Sequence, residues 1–203
     1  MRLTIAALLL CAACGKQKPT PMLPATMAPP PVPPNAAPPA DTDPTVVAAW
    51  SASHIIATTL ELPTLSVVRS SDLEQPLLYD VSGQCRESGN VVGTLRDGSE
   101  LDLTFRSCGG PALALRASDI VLEFGLLTSP STGAARGFLL TLLTHGSLDL
   151  LGSTAGVLGY VGLDIAVVAN DDGTVTMSLS GDATWNGVPS TFANQSFVFP
   201  GAP

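Results

Sequence analysis

Cysteine and histidine are the residues whose chemistry depends most on spacing in this chain. Cys85 and Cys108 stand outside two alternating runs, Val91 to Arg96 and Leu101 to Phe105, which are split by Asp97-Gly98. Asp-Gly between alternating apolar runs is a strong hairpin signal. Antiparallel pairing about that turn brings the two cysteines together, and an oxidising compartment makes such a pair a disulfide. Closing a loop of this size contributes about 3 kcal/mol by chain entropy. A metal site would need further ligands close by, and a redox pair normally has C-x-x-C spacing. Neither pattern accompanies Cys85 and Cys108.

The imidazole supply is His54 and His145. His54 falls on a helical stretch and reads as a polar surface or edge position. His145 precedes Gly146 in a segment that reads as a turn. Serine and aspartate are plentiful, but no Gly-x-Ser-x-Gly elbow supports a triad. Asn170-Asp171-Asp172-Gly173 lacks the later ligands of a calcium loop and reads as a turn. Asp97, Glu100 and Asp102 read as a solvated face, with Arg96 and Arg106 as neighbours. Asn194-Gln195-Ser196 matches a glycosylation acceptor, a chemistry out of place beside the export signal described below. A phosphate loop, a Rossmann glycine pattern and H-E-x-x-H are all absent from the sequence. The expectation is no catalytic residue, no metal ligand and no cofactor.

One helix and a series of strands must position these residues. Asp43-Pro44 reads as an N-cap followed by Pro at the first helical position. Val46, Val47, Trp50 and His54 follow at helical spacing, Ile55 to Ala57 extend the pattern, and Pro63 ends it. The spacing predicts an amphipathic helix near 44–59. Strands are predicted at Leu77–Val81, Val91–Arg96, Leu101–Phe105 and Ala112–Phe124. Residues 129–134 form a turn-rich gap. Phe138–Leu143 and Leu148–Leu151 read as a pair around His145-Gly146. Val157–Val168 leads into Asn170-Asp171-Asp172-Gly173, Val175–Leu179 follows, and Gly181 and Asn186-Gly187 punctuate the way to Phe192–Phe199. The series predicts a mainly β domain over 44–203. It is an antiparallel meander of about eight or nine strands, forming a curved sheet, half-barrel or sandwich with the helix packed on its apolar face. Gly137–Leu143 and Val157–Val168 are apolar enough to predict central strands buried on both sides, or the wall of a barrel or cup. A transmembrane barrel fits poorly, because aromatics are 5% of the chain and such barrels carry aromatic girdles.

The first residues predict export. Arg2 precedes the apolar run Leu3–Leu10, which is too short to cross a bilayer core of about 30 Å as a helix. The run Leu-Cys-Ala-Ala-Cys-Gly at 10–15 resembles the lipobox of bacterial lipoproteins: small residues directly before a cysteine that receives lipid. Cys11 occupies the slot where that family has an aliphatic residue. The resemblance covers fifteen residues and implies a signal peptide over 1–13 and lipidation of Cys14. It also implies a membrane-held chain, and Gly15 in place of Asp favours the outer membrane over the inner. Several acyl chains hold a protein stably where one does not.

Residues 16–43 carry ten of the 18 prolines. Proline fixes φ and lacks a donor, so 14–43 reads as an anchor and disordered polyproline II tether. Such a tether holds a domain up to about 80 Å from the membrane. Lys16 and Lys18 are the only lysines, placed where lipid head groups would lie.

Composition sets the remaining bounds. The chain has 203 residues, a net charge of −8 and 45% hydrophobic residues. From residue 45 onward there are six arginines and no lysine against fifteen acids, a balance of −9. Phosphate contact needs Lys and Arg, so nucleic acid is not an expected partner. The expected function is a non-enzymatic, membrane-anchored lipoprotein displaying a β-rich binding or structural module. The alternatives are a carrier of a hydrophobic ligand in a concave sheet, and a hydrolase using His145.

Overall fold

In a computed structural model the described residues are 37–60, 65–69, 78–128, 133 and 135–200. The signal region, Cys11, Cys14 and the tether up to residue 36 lie outside them, as do Pro63 and Leu77. Among the described residues there are one helix and nine strands. The helix, α1, spans Pro44–Leu60. The strands are β1 Ser66–Arg69, β2 Leu78–Gln84, β3 Asn90–Arg96, β4 Glu100–Gly109, β5 Leu113–Thr128, β6 Ala135–Gly152, β7 Gly156–Ala169, β8 Val175–Trp185 and β9 Val188–Phe199. They form a single antiparallel sheet in chain order, β1 to β9. The expected meander is therefore present as one open, curved sheet and not as a sandwich.

Local chemistry starts the helix where expected. Asp43 Oδ1 accepts the Thr45 N–H at 2.7 Å, and the Asp43 carbonyl accepts the Val47 N–H at 3.0 Å. Asp43 is thus the N-cap, with Pro44 at the first helical position. The helix is not amphipathic, however. Val46, Ala49, Trp50, Ile56 and Ala57 are buried, and so are Thr45, Ser51, Ser53 and Thr59. Val47, His54 and Thr58 form a half-buried line along it, with Pro44 exposed at its start and Leu60 half-buried at its end. The helix packs against β4, β5, β6, β7 and β8, so the sheet wraps it on most sides. Two of its buried hydroxyls are satisfied within the helix, Ser53 Oγ donating to the Trp50 carbonyl and Thr59 Oγ1 to the Ile55 carbonyl, while Thr45 Oγ1 lies 3.2 Å from Ser190 Oγ of β9.

The wrapping has a visible cause in the strands. Register breaks insert an extra residue at Arg106-Ser107 in β4, Ser118-Asp119 in β5, Gly162-Leu163 in β7 and Ala193-Asn194 in β9. Ser107, Asp119, Gly162 and Asn194 all have φ between 52° and 57°. Bulges of this kind bend a strand and increase its twist. They also switch which parity of residue points inward. In β7 the buried residues are Leu158 and Tyr160 before the bulge, then Leu163, Ile165 and Val167 after it. That switch packs apolar residues into one stretch of chain without burying both faces. Leu139 and Leu143 of β6 and Val157 and Val161 of β7 are exposed on the convex side. The expectation of strands buried on both sides fails here, and the expectation of a cup wall holds.

Two boundaries also differ. Phe138–Leu143 and Leu148–Leu151 belong to one strand, β6, and His145-Gly146 is not a turn. Gly146 pairs with Tyr160 of β7, and a Cβ on it would meet the Tyr160 hydroxyl. The glycine provides room for a tyrosine instead of a reversal. β1 has no counterpart among the predicted strands, so the predicted count of eight or nine is met by one merger and one omission. Asp97-Gly98 and Asn186-Gly187 are hairpin turns with positive φ at both residues, the type I′ pattern that matches strand twist.

Candidate functional site

The helix ends before the sheet does. Past Leu60, the last helical residue, the concave face continues across β1 to β5 and leaves an apolar pocket of about 400 Å³. Leu60, Val67, Val81, Leu95, Leu101 and Phe124 line it, one from α1 and one from each of β1 to β5. Ser99, beside Gly98 in the β3–β4 turn, contributes the one hydroxyl among the lining side chains. Strand pairing puts these side chains on one face, since Val67 pairs with Val81 and Leu95 with Leu101. The volume falls in the range of small-molecule sites, about 300–1,000 Å³.

The row holding Leu95 and Leu101 continues across the sheet. Leu95 pairs with Tyr79 of β2, and Tyr79 pairs with Arg69 of β1. Directly paired residues share a face, so Arg69 and Tyr79 stand on the pocket side, next to its lining. Arg96 pairs with Glu100 and Asp102 at 3.6 and 3.8 Å, Arg116 with Asp149 at 2.9 Å, and Arg136 with Asp171. Arg69 has no such carboxylate partner among the described residues.

Cys85 and Cys108 come to disulfide distance, with Cα atoms 5.3 Å apart. Cys85 follows β2, as expected, but Cys108 lies inside β4 and not beyond it. The Arg106-Ser107 bulge turns Cys108 inward: Leu103 and Phe105 are buried before it, and Cys108 is buried after it. Without that bulge, alternation would place residue 108 on the opposite face to Phe105.

The two histidines stand apart. His54 stacks on Trp50, ring centroids 6.4 Å apart and planes 9° from parallel. Burial lowers its pKa, and the Arg86 charge lowers it further. It is more enclosed than a surface or edge histidine. His145 is exposed on β6 and pairs with Val161, which in turn pairs with Asp182. Val161 thus stands between the imidazole and that carboxylate. Asp182 Oδ1 accepts the Thr191 hydroxyl at 2.7 Å.

The acidic segments are structural. Asn170-Asp171-Asp172-Gly173 is the β7–β8 turn. Asp172 Oδ1 accepts both the Thr174 N–H and hydroxyl, which lowers the Asp172 pKa. Asp171 meets Arg136. Glu100 and Asp102 meet Arg96. Among the described residues no group of three or more His, Cys, Asp or Glu side chains is arranged to hold a metal ion. Asn194 occupies the β9 bulge and lines a hollow of about 380 Å³ on the sheet, with Thr141, Asp164 and Ser180.

Sequence reasoning missed the pocket. Its six principal residues lie between positions 60 and 124, and each reads separately as core. β1, which supplies Val67 and Arg69, carried no strand signal longer than four residues. Compared with known proteins, the chain matches no family model, no curated protein and no solved structure.

Proposed function

We propose that this protein is a non-enzymatic bacterial lipoprotein, held at the outer membrane by lipid on Cys14, whose β domain binds an apolar ligand. The single observation that carries the binding reading is the apolar pocket of about 400 Å³ at the end of α1. Six elements converge there and leave space that the helix does not fill. Burial of apolar ligand area contributes about 25 cal/mol per Å², so such a lining favours hydrocarbon without a charged partner inside. The lipobox-like run at 10–15 and the tether supply the anchor. The balance of −9 from residue 45 onward keeps the domain off anionic membrane and nucleic acid.

The carrier alternative is thereby narrowed, since α1 occupies most of the concave face and the ligand is confined to its end. The hydrolase alternative draws no support from His145, because Val161 separates it from Asp182.

Native mass spectrometry of the chain extracted from the cell envelope tests the reading. The expected result is a bound apolar mass that Leu101→Trp, which fills the pocket, removes. A wild-type chain that carries no such mass and takes up neither decan-1-ol nor naphthalene in titration overturns it.

A further inference from the structure

We propose that the pocket takes the chain of a single-chain amphiphile whose anionic head, carboxylate or phosphate, is held by Arg69; this rests on the apolar-ligand reading above. The first argument is shape. The lining runs from Val67 on β1 to Phe124 on β5, which spans four strand spacings, about 19 Å at roughly 4.8 Å each. A volume of about 400 Å³ stands at the small end of ligand sites, and a lining drawn out along five neighbouring strands suits one slender hydrocarbon chain.

The second argument is charge. A charged head does not enter an apolar lining, so it must rest at the pocket's border. There the pocket-side row runs Leu101, Leu95, Tyr79, Arg69. Arg69 is exposed and has no carboxylate partner among the described residues. A guanidinium is a planar fork that matches carboxylate and phosphate oxygens, and the Tyr79 hydroxyl is a second donor in the same row. Glu100 and Asp102 do not compete for Arg69. They neighbour Leu101 in sequence and so point to the other face of β4, where Arg96 meets them.

Calorimetric titration tests this, using the mature chain from residue 14 with Cys14→Ser, made without lipid. The probes are decanoate, decyl phosphate, decan-1-ol and naphthalene. At least one anion is expected to bind ten times more tightly than decan-1-ol, and the tighter of the two names the head group. Arg69→Gln should erase that tenfold difference and leave decan-1-ol binding unchanged. Val67→Phe, on the edge strand, should weaken all chain probes, with folding checked by circular dichroism. Equal affinity for anions and alcohol, an unaffected Arg69→Gln variant, or naphthalene binding more tightly than any chain overturns the proposal while leaving the apolar reading intact. Failure of all four probes to bind overturns both.

Discussion

Trp50 of α1 meets Phe199, the last residue of β9, edge to face, with ring centroids 5.0 Å apart and planes at 82°. The first element of the domain is thereby joined to the last. Both rings are buried, and an edge-to-face pair adds about 0.5–1.5 kcal/mol beyond its burial. Trp50→Ala should destabilise the domain by about 3–5 kcal/mol. A double-mutant cycle with Phe199→Leu in urea should return a coupling of about 1 kcal/mol. Additive losses would show that the helix is held without this pair.

The cysteine pair should matter through the unfolded chain. Replacing both Cys85 and Cys108 by Ala should cost about 3 kcal/mol of stability and leave the far-ultraviolet spectrum unchanged. A thiol titration of denatured, unreduced wild type should find neither sulfur reactive. Two reactive thiols would refute the disulfide.

His54 should make stability depend on pH. Its folded pKa is depressed, first by burial and then by the Arg86 charge, while an unfolded histidine titrates near 6.5. Above about pH 6.5 both states are neutral and the contribution is complete. As pH falls below that value the unfolded state takes up the proton first, so stability declines until the folded pKa is passed. Melting temperature measured from pH 7.5 to 5.5 should fall, and His54→Leu should flatten the curve. An equal slope in the variant would assign the effect elsewhere.

Gly181 has φ of +115°, and a Cβ there would strike the Gly162 carbonyl oxygen. Gly181→Ala should therefore cost about 1–3 kcal/mol from backbone strain alone, read as a lower urea midpoint. Gly98→Ala, where a Cβ meets nothing within 4 Å but φ is +81°, should cost less. The reverse ranking would mean that the sheet relaxes freely along its bulges.

Cys14→Ser should release the protein from membranes into the soluble envelope fraction. Mass spectrometry of the wild-type amino terminus should show acyl chains on Cys14. A wild-type terminus that begins unmodified beyond residue 14 would remove the lipoprotein reading.

The parts legible in the sequence are those written in neighbouring residues. Asp43-Pro44 starts a helix, and Asp97-Gly98 and Asn186-Gly187 make turns, because caps and type I′ turns are set within three or four residues. One such turn brought Cys85 and Cys108 to the same end of the hairpin, and the Arg106-Ser107 bulge turned Cys108 inward. The Gly146 reading failed because a glycine marks either a reversal or room for a neighbour, and the neighbour here is Tyr160, fourteen residues on and in another strand.

By itself, then, the sequence determined a helix followed by an antiparallel meander, an acidic lysine-free domain and a paired hairpin. The tertiary structure decided which way the residues face. Val161 points outward and Leu163 inward across one bulge, a switch that simple alternation does not reveal. It also decided that α1 is enclosed instead of laid on a surface, and that the enclosure stops at Leu60. Burial depends on what the partner strands supply on the other side. A pocket drawn from six separate elements therefore exists only once the sheet has curled around its helix.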